Sequence, residues 1–191
     1  MSDSHKGVTL WFTGLSQSGK STTSALVAER LRARGVRRLE VLDGDIVRLN
    51  LNKGLGFSKE DRDENIRRIA FVAQLLTRNE TICIVAAISP YTEAREKARA
   101  VIGDVLEVYC EAPLEVCAER DTKGLYKQAM AGEITNFTGV NDPYEAPENA
   151  DLVLNTAVDS PDVCADRVIA LMEERGFLLP VGAGSAVTAG V

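Results

Sequence analysis

Residues 14–21 read G-x-x-x-x-G-K-S, and no other feature of the chain restricts its fold as tightly. Glycines at these positions let successive backbone N–H groups turn inward around a phosphate, and a helix N-terminus behind them adds positive potential. Such a loop works only between a strand and a helix. Both are present. The run "GVTLWFTG" is short, apolar and β-rich and stops at Gly14, while "KSTTSALVAERLRARG" has a helical pattern, with arginines in its last turn before Gly35. A chance glycine-rich turn would not come with both flanks. The chain is therefore expected to bind a nucleoside triphosphate, with Lys20 on the β and γ phosphates and the Ser21 hydroxyl on Mg²⁺.

The rest of the sequence alternates strand and helix signals. "LEVLD", "TICIVAAIS", "VLEVYC" and "DLVLNT" read as strands, the second of them the most apolar run and a central strand ended by Pro90. "SKEDRDENIRRIAFVAQLLTRN" reads as a long helix with a Ser58/Asp61 capping pattern. "TEAREKARAVIG", "PLEVCAERD" and "SPDVCADRVIALMEERG" read as three more helices. Alternation of this kind gives right-handed βαβ units and a mainly parallel sheet. The expectation is an α/β three-layer sandwich of the P-loop NTPase/kinase type, in one domain over residues 7–178. Residues 1–6 and the aperiodic tail 179–191 are expected to be flexible. Residues 123–150 break the rhythm. Unstructured connections of that length are uncommon, and this one carries aromatics and lysines, so it reads as a lid.

The 191 residues carry a net charge of −6, which argues against nucleic acid or a membrane surface as the main partner. No apolar run is long enough to span a bilayer, and the start "MSDSHKG" has no signal core, so a cytoplasmic location is expected. Four scattered cysteines without CxxC spacing read as reduced thiols, and a lone His5 makes histidine chemistry improbable.

What receives the phosphate must be read further along. The apolar run ending at Ser89 has no terminal Asp, whereas "LDGDIVR" places Asp43 at the carboxyl end of the second strand. An acid there can orient Mg²⁺ or take the proton of an attacking hydroxyl. Arg48, Phe57, Arg62 and Asn65 follow, with Arg62 and Asn65 on one helix face at i,i+3. In the lid, Lys123 and Lys127 are helically spaced and Phe137 can stack on a base. Two nucleotide-like anions would fit.

The blocks "WFTGLSQSGKST", "LDGDIVR", "GLGFSKEDRDENIRRIAFVA", "AISPY" and "EAPLEVCAERDTKGLYKQAMAGEITNFTGVNDPYEAP" resemble the adenylylsulfate (APS) kinases over about residues 7–178. The last block is the most specific. The resemblance implies transfer of the ATP γ-phosphate to the ribose 3′-hydroxyl of adenosine 5′-phosphosulfate, giving PAPS and ADP in sulfate assimilation, by a homodimer with possible coupling to ATP sulfurylase. It also implies residue roles. Gly14, Ser16, Ser18, Gly19, Lys20, Ser21, Thr22 and Arg120 serve ATP, with Ser21 and Asp43 on Mg²⁺ and Asp43 and Lys20 catalytic. Asp43, Asp45, Arg48, Arg62 and Asn65 match APS-binding positions, with Phe57 and Phe137 around the adenine, and Ile88, Ser89, Lys127 and Thr138 as further contacts. Ser89 lies where some members are assigned a phosphoserine and is carried as a catalytic position, although a hydroxyl lining the pocket at a strand end is the stronger reading. Two departures stand out: Gln17 replaces the usual loop glycine, and Ile46 replaces the common Asn after Asp-Gly-Asp. Two other readings stay open, a P-loop kinase for a different small acceptor and a nucleotide-binding regulatory domain without turnover.

Overall fold

The computed structural model describes residues 5–180. Strands β1 (Val8–Thr13), β2 (Leu39–Asp43), β3 (Ile82–Ala86), β4 (Val105–Glu111) and β5 (Leu152–Asn155) form one sheet in the order β2-β3-β1-β4-β5. Every pairing is parallel. The middle position belongs to β1 rather than to the more apolar β3, which lies between β2 and β1. Both strands are buried along their whole length, so apolarity alone could not rank them.

The period of two in β1 builds the layers. Val8, Leu10 and Phe12 pack with Val27 and Leu31 of α1 (Lys20–Ala33) and with Val168 and Met172 of α7 (Pro161–Glu174). Trp11 points the other way, into a cluster with Ile66, Ile69 and Ala73 of α3 (Lys59–Thr77) and Ala94 and Ala98 of α4 (Thr92–Ile102). Ser58 Oγ caps α3 by accepting from Asp61 N at 3.2 Å, and Ser160 Oγ caps α7 by accepting from Val163 N at 3.3 Å. The helix with Pro113 at its N-cap is α5 (Leu114–Glu119).

Two short helices carried no sequence signal. In α2 (Gly44–Leu49) the Asp43 side chain is the cap, accepting from Asp45 N at 3.0 Å. In α6 (Leu125–Met130) the Asp121 carboxylate accepts from Leu125 N at 3.0 Å and Tyr126 N at 2.8 Å. Six residues are too few to show an apolar period, and both helices depend on a carboxylate cap. Lys123 precedes α6, with Gly124 at φ 68 between them, so Lys123 and Lys127 do not share a helix.

His5 and Lys6 fall within the stretch expected to be flexible, yet His5 bridges Leu178 and Lys6 N donates to Phe177 O at 3.0 Å. The remainder of that stretch, and residues 181–191 of the tail, lie outside the described residues. All four cysteines are free and buried, and no described helix is long and apolar enough to cross a membrane. The loop after β1 leads to α1 on one face and the loop after β3 to α4 on the other. Between these neighbouring strands a crevice opens at their carboxyl ends, the place where open α/β sheets bind ligands.

Candidate active site

The P-loop is shaped by two glycines whose positive φ would strain any other residue. Gly14 has φ 143, and a Cβ there would sit 2.5 Å from Cys110 O; Gly19, with φ 89, is the N-cap of α1. Lys20 therefore opens the helix, only 8% exposed, and its Nζ donates to Gly14 O at 3.0 Å and Leu15 O at 2.6 Å. Burial pulls its ammonium down to about 8, against the opposing pull of Asp43 and Asp45. Next to it, Ser21 Oγ donates to Asp43 Oδ2 at 2.8 Å. Asp43 thus caps α2 with one oxygen and holds Ser21 with the other. A hydroxyl and a carboxylate side by side form a hard oxygen pair that suits Mg²⁺. Among the described residues there is no group of three or more His, Cys, Asp or Glu that could hold a metal ion.

Two cavities meet at this point. The first, about 480 Å³, is lined by Gly19, Lys20, Ser21, Thr22 and Arg120 together with Thr156, Ala157 and Asp159 from the turn after β5. Arg120 donates to Thr156 O at 2.8 Å, and Thr156 Oγ1 reaches Ser18 O at 2.8 Å, so this turn is tied to the loop. The second, about 500 Å³, is lined by Ser16, Asp43, Asp45, Arg48, Phe57, Arg62, Asn65, Ile88, Ser89, Phe137 and Thr138. Gln17, Lys20, Ser21 and Thr122 line both. Of the residues expected at the site, Gly14 and Ser18 shape the loop without lining either cavity. Lys127 lies on the exposed side of α6 and lines neither, because the Asp121 cap starts the helix at Leu125. Thr156, Ala157, Asp159 and Thr122 were not anticipated. The rule that ligands lie beyond strand carboxyl ends, applied to β5, would have found the first two.

The second cavity is cationic in a chain that is acidic overall. Arg48 and Arg62 lie 4.4 and 5.5 Å from the centre of the Phe57 ring. Burial lowers the pKa of both, and the charge of Arg62 depresses Arg48 further, while Asp61 and Asp45 oppose the shift at Arg48 and Asp142 opposes it at Arg62. Arg62, 6% exposed, is aimed by Phe57 O at 3.1 Å and by the Asp142 carboxylate at 3.4 Å. Phe137 packs edge-on against Tyr126 at 4.9 Å. Thr138 Oγ1 is buried without a protein partner, a hydroxyl left for a ligand.

Backbone strain gathers here as well. Four described non-glycine residues have positive φ, and three of them, Gln17, Ser89 and Asn136, line the second cavity. Ser89 is at φ 50, and its buried hydroxyl accepts from Trp11 Nε1 at 3.0 Å and donates to Ala87 O at 3.4 Å. Its carbonyl takes Arg95 Nη1 at 2.7 Å. Gln17 is at φ 60, and its Nε2 donates to Thr122 Oγ1 at 3.3 Å across the mouth of both cavities. Replacing Gln17 by Gly removes the left-handed strain but also this exposed contact. Q17G should gain about 1 kcal/mol, seen as a Tm rise of a few degrees in thermal melts; a lower Tm would mean the contact to Thr122 outweighs the strain.

The expected lid is fixed at one end. Tyr144 Oη lies 2.9 Å from Thr13 Oγ1, Glu145 N donates to Pro90 O at 2.8 Å, and Arg95 Nη2 donates to Glu145 O at 2.8 Å. Tyr91 Oη donates to Asp142 at 3.0 Å. Residues 142–145 are thus fastened to the body of the domain. At the start of the segment, Lys123 Nζ donates to Asp45 Oδ2 at 2.6 Å.

Sheet order and phosphate loop, with a second cavity that carries Arg48 and Arg62, are those of a P-loop kinase. The family model for adenylylsulphate kinase matches residues 6–155. An adenylyl-sulfate kinase from Picosynechococcus sp. is 57% identical over 92% of this chain and 99% of its own. A bifunctional SAT/APS kinase from Sorangium cellulosum is 53% identical over 95% of this chain and 31% of its own. The structure of the Mycobacterium tuberculosis APS kinase in complex with AMPPNP and APS is similar with a TM-score of 0.85 and 48% identity, over 88% of this chain and 99% of that one. The chain belongs to the adenylylsulphate kinase family.

Proposed function

We propose that the chain transfers the γ-phosphoryl group of ATP to the 3′-hydroxyl of adenosine 5′-phosphosulfate, yielding PAPS and ADP. The observation that carries this reading is the meeting of two nucleotide-sized cavities at Lys20 and Ser21, with Asp43 2.8 Å from Ser21 at the entrance to the second. ATP takes the first cavity, its phosphates over the loop and its base towards Thr156 and Ala157. APS takes the second, its anionic groups drawn by Arg48 and Arg62 and its base placed between Phe57 and Phe137. The complex of the Mycobacterium relative with AMPPNP and APS supports the pairing of these two kinds of ligand.

In the reaction the 3′-oxygen forms a bond to the γ-phosphorus, its proton passes to Asp43, and the bond to the β–γ bridging oxygen breaks, leaving ADP. Lys20 leaves the carbonyls of Gly14 and Leu15 to neutralise charge on the transferring group. Ser21 and Asp43 would hold Mg²⁺ when it is bound, and the ion would supply further charge neutralisation on the phosphates. Ser89 takes no chemical step in this reading. Its hydroxyl is engaged by Trp11, and the residue shapes the wall beside Ile88. The chain acts as a homodimer alongside a sulfurylase, a proposal that the fused Sorangium relative supports for the sulfurylase and that light scattering tests for the dimer.

A coupled assay with ATP–Mg²⁺ and a panel of hydroxyl acceptors decides the reading: ADP release should depend on APS. Release that ignores APS but follows another acceptor would overturn it. Within the reaction, Arg62→Ala should raise the KM for APS by at least tenfold, from a lost charge-assisted contact of about 1.5–3 kcal/mol. The KM for ATP should stay within about twofold, since Arg62 lines only the second cavity. A matching rise for ATP would remove Arg62 from the acceptor site. Melting temperature should be followed too, because the change also strands Asp142.

A further inference from the structure

Asn65 enters the second cavity from α3, and something behind it decides which end of its carboxamide a ligand meets. Its Oδ1 accepts from Asn52 Nδ2 at 2.8 Å, in a fully buried contact. Asn52 belongs to the turn after α2 and lines neither cavity. It is 1% exposed, and its backbone is fixed on both sides: Asn52 N donates to Val47 O at 3.0 Å, and Leu55 N donates to Asn52 O at 3.2 Å. The side chain does not serve stability well, because Asn52 Oδ1 is buried with no partner at all. An orphaned buried carbonyl oxygen is a burden that an apolar residue would avoid.

The orphan also fixes the orientation. Turning both amides over would satisfy Asn52 Oδ1 but leave its whole NH₂ group buried and unpaired. Orphaned buried N–H groups are rarer than under-satisfied carbonyls. The arrangement therefore commits the Asn65 carbonyl to Asn52 and leaves Asn65 Nδ2, which has no protein partner among the described residues, for the cavity.

We propose that Asn52 is a positioning residue that turns the Asn65 carboxamide so that N–H donors face the acceptor ligand, which selects a ligand edge that accepts hydrogen bonds there. Arg48 and Arg62, which carry donors and no acceptor, line the same cavity. This inference rests on the reading that the second cavity takes a sulfated nucleotide, and it adds which chemical polarity that subsite reads.

The test uses the whole chain, with binding of APS in the presence of ADP–Mg²⁺ and of an ATP analogue alone measured by calorimetry, beside steady-state kinetics. In Asn52→Asp the ionised side chain accepts only, so Asn65 must turn its NH₂ inward and present its carbonyl; the protonated acid could still donate, so binding is followed with rising pH, where ionisation should enlarge the loss. APS affinity should fall at least tenfold and the KM for APS rise in step, while kcat changes less and analogue binding stays within twofold. Asn52→Leu, which removes the contact and the orphan together, should lower APS affinity by a smaller factor while leaving the melting temperature near that of the unaltered chain. APS binding within twofold of the unaltered chain in Asn52→Asp would overturn the proposal. So would equal losses for APS and analogue in both variants, since these mark a merely structural role. Failure of the unaltered chain to bind APS would instead overturn the substrate reading itself.

Discussion

Lys20→Met should lower kcat by about 10²–10³ while leaving the unliganded chain at least as stable as before. The loss follows from position: Lys20 is the one cation on the wall shared by the two cavities, so it alone meets the transferring group from the loop. The gain in stability follows from burial. The folded pKa of about 8 lies below the unfolded 10.5, so an ammonium is kept where water is excluded. That penalty is on the order of 3 kcal/mol, partly offset by the two carbonyl hydrogen bonds. Between these two pKa values the unfolded chain binds the additional proton, so this group's contribution becomes less unfavourable as pH rises through the window. The stability advantage of Lys20→Met should therefore be largest below about pH 8 and shrink towards pH 10.5. Melts across that range and single-turnover rates check both halves. Turnover like that of the original would remove Lys20 from the chemistry, and a large loss of stability at pH 7 would contradict the burial penalty.

Asp43→Asn should cost about 10²–10⁴ in kcat, the range for a positioned proton acceptor. The amide is a cleaner probe than Ala. Its oxygen can still cap α2 by accepting from Asp45 N, so the loss of about 1 kcal/mol expected for an Ala cap is avoided. Binding of an ATP analogue without metal should change little, because Asp43 does not line the first cavity. Activity near the original level would show that neither the proton nor Mg²⁺ depends on this carboxylate. A variant that loses analogue binding to the same extent would place Asp43 on the nucleotide instead.

Much of the architecture was legible because it is written in repeating local signals. The strand-loop-helix around residues 14–21, the Ser58 cap and the alternation of strands and helices all reappear in three dimensions. Asp43, Arg48, Arg62 and Asn65 could be singled out because strand ends and helix spacing locate them one-dimensionally, and all four line one cavity. What stayed hidden depends on contacts between distant segments. Thr156 reaches Ser18 from the far edge of the sheet, and Asn52 acts on Asn65 through a buried pair that no period announces. Lys127 shows the opposite error, a helical spacing from Lys123 drawn across Gly124, the N-cap of a helix that starts only at Leu125. The segment read as one lid divides for the same reason, since only tertiary contacts reveal that residues 142–145 are fastened.

Lys20, Ser21, Gln17 and Thr122 belong to both cavities. Whatever draws Lys20 off its loop carbonyls re-forms a surface that the other ligand also touches. Thermodynamic linkage makes such an influence mutual and equal. If one nucleotide tightens or loosens the hold on the second, it is held more tightly or loosely by the same factor, so a change in acceptor affinity caused by the donor must return as an equal change in donor affinity.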